Sequence, residues 1–241
     1  TSLKPKHVDA LVALWKDQGV GVGTLKNRLS TLRWWARKVN KANIIARDNA
    51  RYGIGKRIYV TNQSKARMLG TEEISRISDP YTRLSVRLQA EFGLRRAEAI
   101  KFRPGYAIQA DHIRLKASWA KGGRARTVPI TSDAQRQLLE EVRALAQGGA
   151  LIAPDRNYVE QLHRNERQLR TAGLEKLQGL RHAYAQRRYE SLTGFQSPAD
   201  GGPAGSTLTT EQRAVDSEAR ETISRELGHN REQISAVYLG R

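Results

Sequence analysis

Over most of this chain, apolar residues recur every three or four positions, the spacing of one face of an α-helix; only between Ala107 and Ile130 does the period shorten toward two. That pattern commits the chain to a mainly α architecture with one small antiparallel β-hairpin, arranged as two domains. Val8, Leu11, Val12 and Trp15 place a first helix that stops near Gly19, and Leu25, Leu29, Leu32 and Val39 place a second that opens near Thr24. Lys26, Arg28, Arg33, Arg37, Lys38 and Lys41 crowd the polar side of the second helix. Trp34-Trp35 is expected to split, one ring in the core and one half exposed. From Asn43 to Lys65 the period dissolves into glycines, amides and cations, which reads as a basic linker with a short extended piece at Ile58 to Val60. Residues 1–62 are therefore expected to form a helical module and residues 63–241 a second domain.

In that second domain Thr71 is expected to cap a helix starting with Glu72 and Glu73, and Asp79-Pro80 opens the next. Tyr81, Leu84, Leu88 and Phe92 line this helix, and Gly93 ends it. Two strands, His112 to Ser118 and Ala125 to Ile130, are expected to join through a turn at Lys121-Gly122-Gly123. Ser132 with Gln135 fits a capping box, and Leu138, Val142 and Leu145 carry its helix to Gly148. Further helices are expected at Arg156 to Arg170, Gln178 to Glu190, Thr210 to Leu227 and Asn230 to Leu239. Between them, residues 191–210 hold four Gly, two Pro and no Lys or Arg, and read as disordered decoration.

Composition narrows the function. The 42 Lys and Arg against 24 Asp and Glu leave +18, which points to a polyanionic partner. Cysteine is absent, which excludes disulfides, thiolate nucleophiles and Cys-ligated zinc. The longest apolar run, Val8 to Trp15, is far short of the roughly 18 residues that suggest a spanning helix, so no membrane partner is expected. The chain opens on Thr1, not Met, and reads as a fragment without a basic-then-apolar signal. It lacks the G-x-S-x-G elbow and the G-x-x-x-x-G-K-[ST] loop. His7, His112, His163, His182 and His229 never pair at i, i+3 or i, i+4, and the carboxylates are scattered, so neither metal nor cofactor is expected.

Cations do stand at marked places. Arg95 follows Gly93-Leu94 and faces Glu98 three residues on; Lys121 lies at the hairpin tip; Arg181 precedes His182 on a helix; His229 follows Leu227-Gly228; Tyr238 comes nine residues later. Gly93-Leu94-Arg95-Arg96-Ala97-Glu98, Lys121-Gly122-Gly123-Arg124-Ala125-Arg126-Thr127-Val128-Pro129, Leu180-Arg181-His182-Ala183-Tyr184-Ala185 and Leu227-Gly228-His229 with Tyr238 resemble, in order, the motif set of the tyrosine recombinase (phage integrase) family. The resemblance runs from about Gly70 onward. The basic helical module before it is similar to the family's core-binding, SAM-like domain.

The resemblance implies a site-specific DNA recombinase that cuts and rejoins strands through a 3′-phosphotyrosyl link, without metal or ATP. Arg95 and Arg181 would clamp the phosphate, as guanidinium forks suit its oxygens and keep their protons. His229 would add a donor, Tyr238 would attack, and Lys121 would protonate the departing 5′ oxygen. Glu98 and His182 would support the site. Gln178 stands where the family has His or Lys; it can donate to phosphate but cannot move a proton. Arg181 to His229 spans 48 positions, longer than the family's usual spacing.

The implied partner is a core-site DNA duplex held by a homotetramer, with accessory DNA-bending proteins as further candidates. The basic face of the second helix, with Arg124 and Arg126, would grip its phosphates. A linker of about 20 residues would reach roughly 25 Å, enough to wrap a duplex. The setting implied is the prokaryotic cytosol or nucleoid, in a mobile element. A type IB topoisomerase, which only cuts and reseals one strand, and a non-catalytic DNA-binding regulator on the same scaffold are the rival readings.

Overall fold

Pro5 opens α1 (Pro5–Asp17) at the first helical position, where its missing N–H would have had no partner within the helix. Val8 and Val12 of α1 meet Leu25, Leu29 and Ala36 of α2 (Val22–Lys38), and the core they begin is completed by Ile44, Ile45, Tyr52 and Ile54. The stretch read as linker is thus folded as far as Ile54, on two 3-10 turns at Ala42–Ile44 and Ala50–Tyr52. Apolar residues in isolated pairs carry no period, so the pattern did not reveal them. Arg33 fastens this segment: its Nε donates to the Ala46 carbonyl (2.8 Å) and its Nη2 to Asn49 Oδ1 (2.8 Å). Expected against DNA, Arg33 instead serves the fold, because four residues beyond Leu29 it sits at the edge of the apolar face. Trp34 and Trp35 both remain exposed, at 57 and 40 %, and do not split. Ile58 to Val60 forms no strand, and Ile58 and Tyr59 are exposed.

The computed structural model describes residues 3–229 and 231–241, in two units, 1–59 and 60–241. Residues 60–62 fall in the second unit, where the Asn62 side chain bonds both backbone groups of Arg241 (2.8 and 2.9 Å). Gly70, not Thr71, caps the short α3 (Thr71–Ser75), whose Glu73 accepts from the Gly70 N–H. Asp79 caps α4 (Pro80–Phe92), accepting from the backbone and hydroxyl of Thr82. After α5 (Arg96–Ile100) and α6 (Pro104–Ala107) come β1 (His112–Leu115) and β2 (Arg126–Pro129), paired antiparallel with Ile113 opposite Val128. The strands are shorter than expected because a 3-10 turn at Ala117–Trp119 buries Trp119, so a ten-residue connection replaces the tight turn.

α7 (Asp133–Ala146), α8 (Tyr158–Thr171), α9 (Gln178–Thr193), α10 (Thr210–Glu226) and α11 (Ala236–Leu239) complete the unit. Leu88, Phe92, Phe102, Ile113, Leu138, Val142, Tyr189, Ile223 and Leu239 anchor its core. The helix expected from Asn230 to Leu239 is two pieces, a 3-10 turn Glu232–Ile234 and the single turn of α11; Asn230 itself lies outside the described residues. The segment after α9 is ordered rather than decorative. It makes 3-10 turns at Pro198–Asp200 and Gly205–Thr207, and Ser197, Pro198, Ala199 and Leu208 are buried. The first of these turns packs against α11. Among the described residues no helix is long and apolar enough to cross a membrane.

Candidate active site

α4 terminates on Gly93 at φ +60°, a left-handed conformation that disfavours any side chain. A Cβ there would also lie 2.6 Å from Cδ1 of the buried Tyr184. The sharp exit points the Gly93 carbonyl at Arg181, whose Nη1 donates to it. Two residues on, Arg95 caps α5: its N–H donates to Glu98 Oε2 (2.7 Å) and its Nη1 to Oε1 (3.0 Å).

Glu98 is fully buried and also receives Arg126, Nη1 to Oε1 at 2.8 Å and Nη2 to Oε2 at 2.7 Å. Arg126 Nε donates onward to the Glu226 carbonyl (2.7 Å). Burial alone would raise the Glu98 carboxyl pKa, but the hydrogen bonds and charge of Arg126, with those of Arg95, bring it below its ordinary value. Arg126, expected to contact DNA, is therefore a buried tie between β2, α5 and α10. The signal was present: in a strand Arg126 shares its face with Val128 and Ile130, which are both apolar and buried.

Arg181, on α9, is 1 % exposed. Besides Gly93 it donates through Nη2 to the Leu227 carbonyl and through Nε to Tyr238 Oη (3.2 Å), and Nη2 lies 3.4 Å from His229 Nε2. Burial draws its pKa down to about 10, with the Tyr238 hydroxyl opposing and Arg95 and Arg126 adding to the fall, so it stays cationic at neutral pH. His229 follows Gly228, again left-handed at φ +69°, where a Cβ would press on Arg126 Cδ at 3.1 Å. Its Nε2 is 3.3 Å from Tyr238 Oη. Burial first, then the fields of Arg181, Arg95 and Arg126, against that of Glu98, lower its pKa to about 4. His182 packs its ring 4.8 Å from that of Tyr238, and burial, then Lys65 and Arg181, likewise lower it to about 4.

Tyr238 is itself only 6 % exposed, tucked into the pocket rather than held out from it. Its segment is fastened by residues no motif announces: Gln186 donates to the Tyr238 carbonyl (3.0 Å), Arg220 to the Gly240 carbonyl (3.0 Å), and Asn62 pairs with Arg241. Arg188 and Tyr184 hold the Glu226 carboxylate just before the turn to His229. These pairings join residues tens of positions apart, and nothing local marks them.

Arg95, Glu98, Arg181, His182, His229 and Tyr238 are thus brought into one cluster. Lys121 is exposed in the connection between the strands and forms no ion pair among the described residues; Arg124 beside it is exposed too. Gln178, the first residue of α9, is exposed, its side chain makes no hydrogen bond among the described residues, and it lines a separate cleft with Gln89, Arg96 and Glu166.

The sequence profile described as Integrase matches residues 55–187, more than half of the chain, and the profile described as Phage integrase, N-terminal, matches residues 1–44. This chain belongs to the integrase family of tyrosine recombinases. Solved structures share the fold: a lambda integrase dimer bound to a COC′ core site, at 18 % identity and TM-score 0.62, covers 100 % of this chain. The chain spans 66 % of that lambda integrase chain. The Tn1549 transposon integrase with circular intermediate DNA matches at 13 % identity and TM-score 0.57, over 100 % of this chain and 82 % of that one. XerH site-specific recombinase bound to difH substrate, in a pre-cleavage complex, matches at 17 % identity and TM-score 0.55, over 98 % and 67 %. Among curated proteins, none matches the sequence significantly.

Proposed function

We propose that this chain is a site-specific DNA recombinase that breaks and rejoins strands by transesterification onto Tyr238. The observation that carries the reading is the convergence of three groups: the Tyr238 phenol lies 3.2 Å from a guanidinium N–H of Arg181 and 3.3 Å from an imidazole nitrogen of His229. Arg95 stands close enough to lower the proton affinity of both Arg181 and His229. Such a cluster of fixed cations suits a phosphodiester whose non-bridging oxygens gain charge as phosphorus becomes five-coordinate; one preorganised donor is typically worth on the order of 3 kcal/mol of transition-state stabilisation.

In the step itself, Tyr238 Oη bonds to phosphorus and its proton leaves. The bond from phosphorus to the 5′ oxygen breaks, and Lys121 protonates that oxygen. The phosphotyrosyl bond conserves the energy of the broken one, so a second 5′ hydroxyl can reverse the step on a new partner without ATP. Because four of the five Arg181 N–H groups are already engaged by Gly93, Leu227, Tyr238 and His229, an arriving phosphate takes up the place held by the Tyr238 hydroxyl. That displacement moves the phenol from partner to attacker.

The exposed cations of α2 (Arg28, Arg37, Lys38), with Lys26, Lys41, Lys121 and Arg124, would contact duplex phosphates. Lambda integrase has been captured as a tetramer on a Holliday junction, and a tetramer on paired DNA sites is the assembly proposed here. A prokaryotic cytosol or nucleoid is the setting proposed with it.

Incubation with a pool of nicked suicide duplexes carrying randomised cores tests the reading. Wild type should yield a protein–DNA adduct stable to denaturant, and Tyr238→Phe should yield none while still binding DNA. An adduct from Tyr238→Phe would overturn the nucleophile assignment; no adduct from wild type would favour a binding-only regulator. Relaxation of supercoiled plasmids lacking any selected site would favour a topoisomerase.

A further inference from the structure

We propose that His229 Nε2 is the base that removes the Tyr238 phenolic proton, and that it becomes competent only when a phosphodiester occupies the pocket. This rests on the recombinase reading above and assigns the step that reading leaves without an owner.

Hydrogen-bond direction is the first argument. A guanidinium only donates. Arg181 Nη2 lies 3.4 Å from His229 Nε2, so the nitrogen facing it carries a lone pair and the ring hydrogen sits on Nδ1. Arg181 Nε donates to Tyr238 Oη at 3.2 Å, occupying a lone pair of the phenol. The phenolic hydrogen is then directed at the remaining neighbour, Nε2 of His229, at 3.3 Å. The three groups form one oriented chain, Arg181 to Tyr238 to His229; when a phosphate takes the Arg181 N–H that the phenol held, the phenol keeps its bond to Nε2, and the proton moves from Oη to Nε2.

Elimination is the second. Gln178 has no proton affinity to offer and is exposed at the start of α9. His182 packs its ring against the phenol, but no hydrogen bond joins it to Oη among the described residues.

The charges around His229 supply the gate. Arg181 faces it from α9, Arg95 from the start of α5 and Arg126 from β2, with Glu98 of α5 opposing them and the Tyr238 phenol reaching it from α11. Burial first, and then these three cations against the Glu98 carboxylate, keep the imidazole neutral and a poor acceptor, with its pKa near 4. A bound phosphodiester adds a negative charge among those cations and raises the affinity of Nε2 for a proton. Proton removal is thereby coupled to substrate binding. The balance is complete: Oη–H breaks and Nε2–H forms, Oη bonds to phosphorus, and the electron pair of the broken ester bond stays on the 5′ oxygen.

Two measurements on the intact chain decide it. Nitrogen-15 NMR of labelled histidine, without DNA at pH 7, should show His229 with bare Nε2 and protonated Nδ1; a protonated Nε2 would overturn the proposal. On the randomised nicked-duplex pool, His229→Gln should form adduct on the order of 100-fold more slowly. Replacing Tyr238 by a ring-fluorinated tyrosine that is already ionised at pH 7 should then restore the His229→Gln variant to within a few-fold of the same replacement in wild type. Failure of that rescue, or a His229→Gln rate near wild type, would mean His229 serves the phosphate and not the proton. Adduct from Tyr238→Phe would instead strike the underlying nucleophile assignment, and the NMR result still stands alone on the state of Nε2.

Discussion

Glu98→Ala is expected to cost the folded second unit about 3–5 kcal/mol, the range for removing one partner from a buried ion pair. Glu98 is 0 % exposed and accepts four hydrogen bonds, two from Arg95 and two from Arg126. Without it, the Arg126 guanidinium, with only 5 % of its side chain exposed, keeps a single carbonyl partner at Glu226. That stranded charge is the source of the cost, and not the loss of a favourable pair. The double variant Glu98→Leu with Arg126→Leu should therefore lose less than Glu98→Ala alone. For a unit of this size about 2–4 °C accompany each kcal/mol, so scanning calorimetry should find the melting transition lowered by roughly 6–20 °C. The carboxyl is held below its ordinary 4.5, so its contribution is complete above pH 4.5 and is lost as pH falls through the lower folded value. Wild type should show that acid-side decline, and in Glu98→Ala the decline should be shallower, with Asp79 and Glu141, also held below their ordinary values, supplying what remains. A loss under about 1 kcal/mol, or a double variant whose loss equals the sum of the singles, would refute the buried-pair account.

Gly93→Ala should destabilise by at least about 2 kcal/mol in urea unfolding, because φ is +60° and the added methyl meets the Tyr184 ring at 2.6 Å; a change below roughly 0.5 kcal/mol would contradict the geometry. His182 and His229 both hold protons less readily folded, at about 4 against an ordinary 6.5, so the unfolded chain takes up more protons between those values. The urea midpoint should then fall as pH drops from 6.5 toward 4, and fall less in the double variant His182→Gln, His229→Gln. Binding to plain duplex DNA should show a log–log salt slope steeper than about −3. Arg37→Ala with Lys38→Ala should flatten it, whereas Arg33→Ala should leave the slope and instead weaken the first unit, since Arg33 is bonded to Ala46 and Asn49.

Parity and turns account for what could be read ahead. The strand face shared by Arg126, Val128 and Ile130 carried its own warning that Arg126 points inward, as did the position of Arg33 one turn past Leu29. Asp79 before Pro80 capped α4 as its chemistry demands. By contrast, Ile44, Ile45, Tyr52 and Ile54 complete a core without repeating at any period, and Ser197 to Ala199 are buried in a segment whose composition reads as loop. Burial there comes from neighbours that the local sequence does not name.

The order and chemistry of the clustered groups were written in the chain itself: glycines that turn it sharply before Arg95 and His229, an arginine within a helix, and a phenol near the final residues. Those follow from local rules, since φ, helical period and proton affinity are properties of short stretches. Only folding decided that Arg181, Tyr238 and His229 meet within hydrogen-bond reach, that Arg126 spends its charge on Glu98, and that α11 is pinned by Gln186, Arg220 and Asn62. Such contacts join residues as far apart as 62 and 241, and their geometry is set by how whole helices pack.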